Sequence, residues 1–296
     1  MLRQTTQLST LLALVLSLGA CATTGGKSTT LAARRAADAK CQGVATCRDA
    51  CNEGSGKSCT YLAALYTKRN DVSRARRYAI KGCKLGAPAA CLGAGALFAR
   101  KGGDYQRAEK FLARACAGKH GAGCFHQGKL AERRGDNATA ARAYAKACNA
   151  NYGPGCTMLG VYFRMGIGVP PNVQRAASYW QKGCRRNDMT GCAHLGAAYV
   201  QGSGVSRDLK LGAKLNKVAC ASGSPRGCAN LGVLLLQGAG VKRDVALGVK
   251  LTRSACSSGD QLACRQLALL VKRYKEAKAK RKSNKRKRRR RRRRRR

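Results

Sequence analysis

Apolar residues recur along most of this 296-residue chain in steps of three to four, interrupted at regular intervals by polar or glycine-bearing turns. Leu195 and Tyr199, then Leu211, Leu215 and Val218, keep that step, which puts each set on one face of a helix. The pattern predicts a helix A over Gly191–Gln201 and a helix B from Asp208 to Cys220. The same two-helix unit returns along the chain, so the expectation is an all-α fold: a right-handed α-solenoid of about six to seven helix-turn-helix repeats.

A longer period runs through the helical one. Seven cysteine pairs share one spacing: Cys51/Cys59, Cys83/Cys91, Cys116/Cys124, Cys148/Cys156, Cys184/Cys192, Cys220/Cys228 and Cys256/Cys264. Successive pairs are 32, 33 and 32 residues apart in the first half and 36 apart thereafter. Small residues keep phase with them: Gly82, Ala115, Ala147, Gly183, Ala219 and Ala255 precede the first Cys of a pair, and Gly95, Gly128, Gly160, Gly196 and Gly232 follow the second by four. Backbones are expected to approach closely there. Twelve residues before a first Cys stand Asp71, Asp104, Asp136, Asn172, Asp208 and Asp244. A short oxygen-bearing side chain at that point satisfies free N–H groups at the start of helix B, so these six are the expected helix caps.

Residues eight apart on one continuous helix lie about 12 Å apart along its axis, whereas a disulfide needs Cα atoms within about 7 Å. If the pairs are bonded, the chain must turn between them. Each interval carries a breaker, among them Gly54, Gly86, Pro88, Gly118, Pro154, Gly191, Pro225 and Gly259. Bonding requires an oxidising compartment, and the N-terminus points to one. Arg3 supplies a basic start and Leu11 to Leu18 an apolar run too short to span a bilayer. Leu18-Gly19-Ala20-Cys21 then closely resembles the lipobox of bacterial lipoproteins. That resemblance implies cleavage before Cys21, a membrane anchor through lipid on Cys21 and, because Ala22 follows it, the periplasmic face of the outer membrane, with secretion as the alternative. The expected domains are a signal peptide 1–20, a lipidated spacer 21–40, a solenoid 41–272 and a poly-basic tail 273–296. Setting Cys21 aside leaves sixteen of the 17 cysteines. Cys41 and Cys47 stand outside the ladder, and either bond to each other or close an N-terminal cap.

The longer repeats carry Leu159-Gly160, Leu195-Gly196 and Leu231-Gly232, followed by the loops Gly166-Ile167-Gly168-Val169, Gly202-Ser203-Gly204-Val205 and Gly238-Ala239-Gly240-Val241. These motifs resemble the Sel1-like repeat, a relative of the tetratricopeptide repeat, and the paired cysteines resemble its disulfide-rich branch, the Helicobacter cysteine-rich proteins. The likeness covers about residues 41 to 272. The first three repeats are shorter and lack the Gly-x-Gly-Val loop. The resemblance implies a protein-binding scaffold. It also implies an alternative, a weak β-lactamase or penicillin-binding, peptidoglycan-related hydrolase.

The residues themselves offer little catalytic chemistry. Gly54-Ser55-Gly56-Lys57-Ser58 and Gly25-Gly26-Lys27-Ser28-Thr29 evoke a phosphate loop, but Cys51 and Cys21 occupy the place of its first Gly. Only His120, His126 and His194 are available as imidazole ligands, and the Cys spacing is not that of a zinc cluster. His126 is read as a surface helix residue. Of 13 acidic residues five are the phased caps, and neither a Ser-x-x-Lys nor a Lys-Thr-Gly occurs. No catalytic residue, metal or cofactor is therefore expected.

Charge changes the picture of the partner. The net charge is +46, and 19 of the 59 basic residues lie from Lys272 onward, ending in nine consecutive Arg from Arg288. Such a tail is expected to stay disordered by self-repulsion and to grip polyanions. No aromatics interleave it, which argues against stacking on nucleic-acid bases. The remaining 40 basic and 12 acidic residues leave the repeats strongly basic too. A solenoid's concave face is an extended binding surface, so the expected partner is an acidic protein or an anionic envelope polymer, bound by a monomer.

Overall fold

The computed structural model describes residues 43–100, 103–272 and 276, and among them it is helical without strands. A first helix, α1 (Val44–Asn52), leads into six hairpins. These are α2 (Gly56–Lys68) with α3 (Val72–Lys84), α4 (Pro88–Phe98) with α5 (Tyr105–Ala117), α6 (Gly121–Arg133) with α7 (Asn137–Asn149), α8 (Gly153–Met165) with α9 (Val173–Arg185), α10 (Met189–Gln201) with α11 (Leu209–Ala221), and α12 (Pro225–Gln237) with α13 (Val245–Ser257). Residues 261–272 are again helical. No helix among the described residues is long and apolar enough to cross a membrane.

Each hairpin packs its two helices on each other and docks on the next, which makes an α-solenoid. The even-numbered A helices contact one another from repeat to repeat along the whole stack, whereas the odd-numbered B helices approach one another less. The closer row is the inside of the curve, so the A helices form the inner, concave layer.

Backbone chemistry explains where the chain turns. All six phased caps accept a backbone N–H at the third helical position: Asp71 from Arg74, Asp104 from Arg107, Asp136 from Thr139, Asn172 from Arg175, Asp208 from Leu211 and Asp244 from Leu247. The A helices have caps that the sequence pattern did not single out: Ser55, His120, Asp188, Ser224 and Asp260. Helix A of the fifth hairpin accordingly begins at Met189, two residues before the expected Gly191.

The turn between paired cysteines is made by the third residue after the first Cys, which has positive φ in all seven cases: Gly54, Gly86, Lys119, Asn151, Asn187, Gly223 and Gly259. The small residue before each first Cys then accepts the closing backbone bond, as Gly183 O does from Asp188 N–H at 3.0 Å and Ala219 O from Ser224 N–H at 2.9 Å. Pro88, Pro154 and Pro225, expected as breakers, instead lie in the first turn of helices. A proline is pre-organised for that place and forfeits no helical N–H bond there.

The phased glycines mark the tightest helix contacts. A Cβ at Gly160 would lie 2.6 Å from the Trp180 ring, and one at Gly204 would lie 2.1 Å from Val173 O. The second glycine of each Gly-x-Gly-Val loop thus seats the loop against the start of the preceding B helix.

Candidate binding surfaces

The seven ladder disulfides are present in the structure: Cys51–Cys59, Cys83–Cys91, Cys116–Cys124, Cys148–Cys156, Cys184–Cys192, Cys220–Cys228 and Cys256–Cys264. Their Cα atoms stand 4.4 to 4.9 Å apart, so each staples one B helix to the following A helix across the turn. Cys47 is disulfide-bonded as well. Cys41, the lipidation site Cys21, the spacer before residue 41 and the arginine run from Arg288 lie outside the described residues.

The fold consumes most of the groups that could have been catalytic. His120 Nδ1 accepts the N–H of Gly123 at 3.3 Å, and Ser55 Oγ both accepts from Ser58 N and donates to Ser58 Oγ at 2.9 Å. The glycine–lysine stretch Gly54–Ser58 is therefore the turn and cap of α2, bordering a cleft with Leu85–Ala89. Seven of the 13 acids are caps once Asp188 and Asp260 are included. No cluster of ligating side chains suited to a metal ion occurs among the described residues.

His194 is stacked on Trp180 with ring centroids 5.2 Å apart. Burial, followed by the Arg226 and Arg164 guanidiniums, pushes its pKa down to about 4. Arg226 in turn pairs with Asp260, Nε to Oδ2 3.1 Å, linking α12 to the helical segment after it. His126 is exposed, as its place in the pattern suggested, and burial of its ring edge followed by Lys129 lowers its pKa. Burial raises the Tyr144 hydroxyl far above the usual phenol range; Glu132, which accepts from it at 2.8 Å, adds to the effect. Tyr162 beside it is pushed up to about 12 by burial and then by Glu132. The Tyr144 and Tyr162 hydroxyls therefore stay protonated across ordinary pH, and Tyr144 ties α7 to α6 through Glu132.

A polar network ties the fifth and sixth hairpins. Asn216, fully buried, donates to Gly212 O at 2.8 Å and accepts at 2.9 Å from Asn230 Nδ2, which also donates to Ala193 O at 3.1 Å. Asn230 thereby bonds to α10 and α11 from α12. Earlier hairpins fill the position of Asn216 with Leu112, Tyr144 and Trp180, so one geometrical slot is apolar first and polar later.

A further repeated unit escaped the sequence reading. Tyr66 stacks on Tyr78, Phe98 on Phe111 and Phe163 on Tyr179, with centroids 5.4 to 5.6 Å apart and planes within 5°. Arg74, Arg107 and Arg175 lie over the first ring of each pair. The signal was available as aromatics seven after a second Cys and five before the next first Cys. The last two hairpins place Tyr199 with Leu215 and Leu235 with Leu251 there.

With the sandwiches and caps set aside, two surfaces remain. The inner row presents Lys57, Tyr61, His126, Lys129 and Arg133 from α2 and α6, then Met158, Val161, Met165, Ala197 and Val233 from α8, α10 and α12. Its named cations are confined to α2 and α6, with the apolar α4 between them, and the later helices contribute apolar side chains. The larger share of positive charge lies on the outer faces of the B helices.

The Sel1 repeat family model matches residues 56–86, 88–120, 153–188, 190–224 and 225–260, more than half of the chain. The chain belongs to the Sel1 repeat family. Between the matched stretches, α6 and α7 form a hairpin with the same cap and staple as the rest. Sel1 repeat proteins are generally protein-interaction scaffolds. Among solved structures, a protective antigen of uropathogenic Escherichia coli strains displaying an SLR fold is 20% identical at a TM-score of 0.64 over 78% of this chain and 52% of that one. This chain thus spans about half the length of that relative. A Sel1 repeat protein from Oxalobacter formigenes is 20% identical at a TM-score of 0.63, over 71% of this chain and 86% of that one. Helicobacter pylori cysteine rich protein B is 32% identical over 45% of this chain and 95% of its own, at a TM-score of 0.36. No curated protein sequence matches the chain.

Proposed function

We propose that this Sel1 repeat protein is a cell-envelope lipoprotein scaffold whose inner row docks a segment of a partner protein. The observation that carries the reading is the make-up of that row, which holds its cations on α2 and α6, with the apolar α4 between them, and turns to Met158, Val161, Met165, Ala197 and Val233 along α8 to α12. A polypeptide with an acidic stretch followed by apolar side chains complements both ends, and buried apolar contacts supply affinity while the charged end supplies orientation and rate. The stapled, capped hairpins present the surface already ordered, which lowers the entropic cost of docking.

The test is capture from envelope extracts by the oxidised full chain, compared with a chain carrying Lys129→Glu and Arg133→Glu and with one carrying Val161→Arg and Val233→Arg. The reading expects a partner retained at low salt and lost from both variants. A partner that both variants retain sinks it. Anchoring is tested separately: Cys21→Ser should move the protein out of the detergent phase, and continued partitioning would contradict the anchor.

The hydrolase alternative finds no supporting arrangement among the described residues, where Ser55 and Ser224 serve as helix caps, the Ser58 hydroxyl accepts from Ser55 Oγ and His194 is stacked on Trp180. Nitrocefin turnover by the oxidised protein would reinstate it.

A further inference from the structure

Each of the six B helices from α3 to α13 carries at least two cations on its outward side, three or four residues apart: Arg77 and Lys81 on α3, Lys110 and Arg114 on α5, Arg142 and Lys146 on α7, Lys182 and Arg185 on α9, Lys214 and Lys217 on α11, Lys250 and Arg253 on α13. All but the half-buried Lys81 are exposed. No acid stands on this stripe. Each ion pair among the described residues draws instead on Arg74, Arg107, Lys129, Arg134 or Arg226. Like charges so spaced on a helix are destabilising by about 0.2–0.5 kcal/mol a pair. The molecule repeats that arrangement on six successive helices, and no salt bridge among the described residues reaches these cations; the carbonyl ends of their own helices offset Lys81, Arg114, Lys146, Lys182 and Arg185, and Asp136 offsets Arg142.

The stripe runs along the stack. Helices in direct packing contact lie roughly 8–10 Å apart, and the B helices stand no closer than that, so the six-helix row extends over at least about 40 Å. Large exposed apolar side chains are few on these helices: Val218 and Leu247 lie beside the stripe, and Tyr105, Val173 and Val245 stand in first turns, away from it. A surface that dips into lipid needs such side chains, whereas a chain polyanion needs a line of cations and nothing more. The outer row is also convex, so a flat membrane touches few of its helices at once while a flexible polymer can follow them all.

We infer that the outer face of the B helices is a binding track for a linear phosphate-bearing polymer, distinct from the inner row and from the arginine tail. Contacts are sequence-blind, one cation to one phosphate, and binding is driven by counterion release. The inference does not depend on the inner-row reading, because variants of the stripe leave α2, α6 and the apolar inner residues untouched.

The experiment uses the oxidised full chain with Arg288 to Arg296 changed to Gln, so that the tail does not mask the track, and fluorescent inorganic polyphosphate as probe, titrated at several salt concentrations. The stripe variant R77Q/K110Q/R142Q/K182Q/K214Q/K250Q is compared with R69Q/R100Q/K119Q/R207Q/K242Q/K272Q, which removes equal charge from exposed sites outside both the stripe and the inner-row residues. Circular dichroism and melting confirm that each is folded. The expected result is at least tenfold weaker binding for the stripe variant, with the slope of log K against log salt reduced by about four to five, and a change less than half as large for the other. Equal loss in both variants, or unchanged affinity in the stripe variant, overturns the inference. So does stripe-dependent binding to phosphatidylglycerol vesicles that exceeds binding to polyphosphate at equal phosphate, which would make a membrane the occupant.

Discussion

Lys119 carries a left-handed backbone, φ 57°, at a turn where four of the seven equivalent positions are glycine and two are asparagine. A Cβ-bearing residue without a locally bonding side chain is strained there by roughly 1–2 kcal/mol. Lys119→Gly is therefore expected to raise the stability of the oxidised protein by up to about 1 kcal/mol, read as a higher melting temperature; a lower one contradicts the strain argument. At His194 the folded pKa of about 4 lies below the ordinary value of 6.5. Between those values the unfolded chain binds the proton and the folded chain does not. The stability this residue confers is thus complete above pH 6.5 and is lost as pH falls toward 4, by at most about 1.4 kcal/mol per pH unit. NMR titration of the imidazole should show it neutral at pH 5. His194→Phe, which keeps the ring on Trp180, should flatten the dependence of stability on pH in that window.

At the scale of the element, the hairpin and its staple are the unit. A bridge closing nine residues restricts the unfolded chain by about 2.5 kcal/mol on loop-closure entropy. Replacing Cys220 and Cys228 together by Ala should cost about that much, and the loss should appear locally. In a stack whose repeats touch only their neighbours, opening spreads outward from the weakened interface. Hydrogen exchange should accelerate in α11 and α12 while α4 and α5 keep their protection; uniform acceleration would show that the stack melts as one unit. The interface between those helices also depends on Asn216. Asn216→Ala leaves Asn230 without one acceptor in a buried setting and should lower stability by about 1–3 kcal/mol, read by urea denaturation.

For the whole molecule, charge dominates. With 59 basic against 13 acidic residues, the folded chain is held under mutual repulsion that the five ion pairs among the described residues barely relieve. The Debye length falls from about 30 Å at 0.01 M salt to about 8 Å at 0.15 M. The melting temperature should therefore climb across that range, and climb less in the six-site stripe variant. A melting temperature indifferent to salt would mean that the repulsion is equally present in the unfolded chain. The separation of surfaces belongs to this scale too: an inner row that turns apolar, and an outer row that stays cationic from α3 to α13.

The period of the cysteines, the small residues four after each second Cys and the Asp or Asn caps twelve before each first Cys were legible in the chain, because each answers to a local rule. A helix start needs an acceptor, and a close approach needs a missing side chain. Local rules also determined that B helices begin at Asp208 or Asp244. They did not show that the turns pivot on Lys119, Asn151 and Asn187, since positive φ is tolerated there only because the staple and the closing backbone bond hold the chain. Nor did they show which charges face which way. The inner and outer rows exist only once neighbouring hairpins stack, since curvature is a property of the contacts between repeats. A lysine three residues from another becomes part of a track when five more helices align theirs beside it.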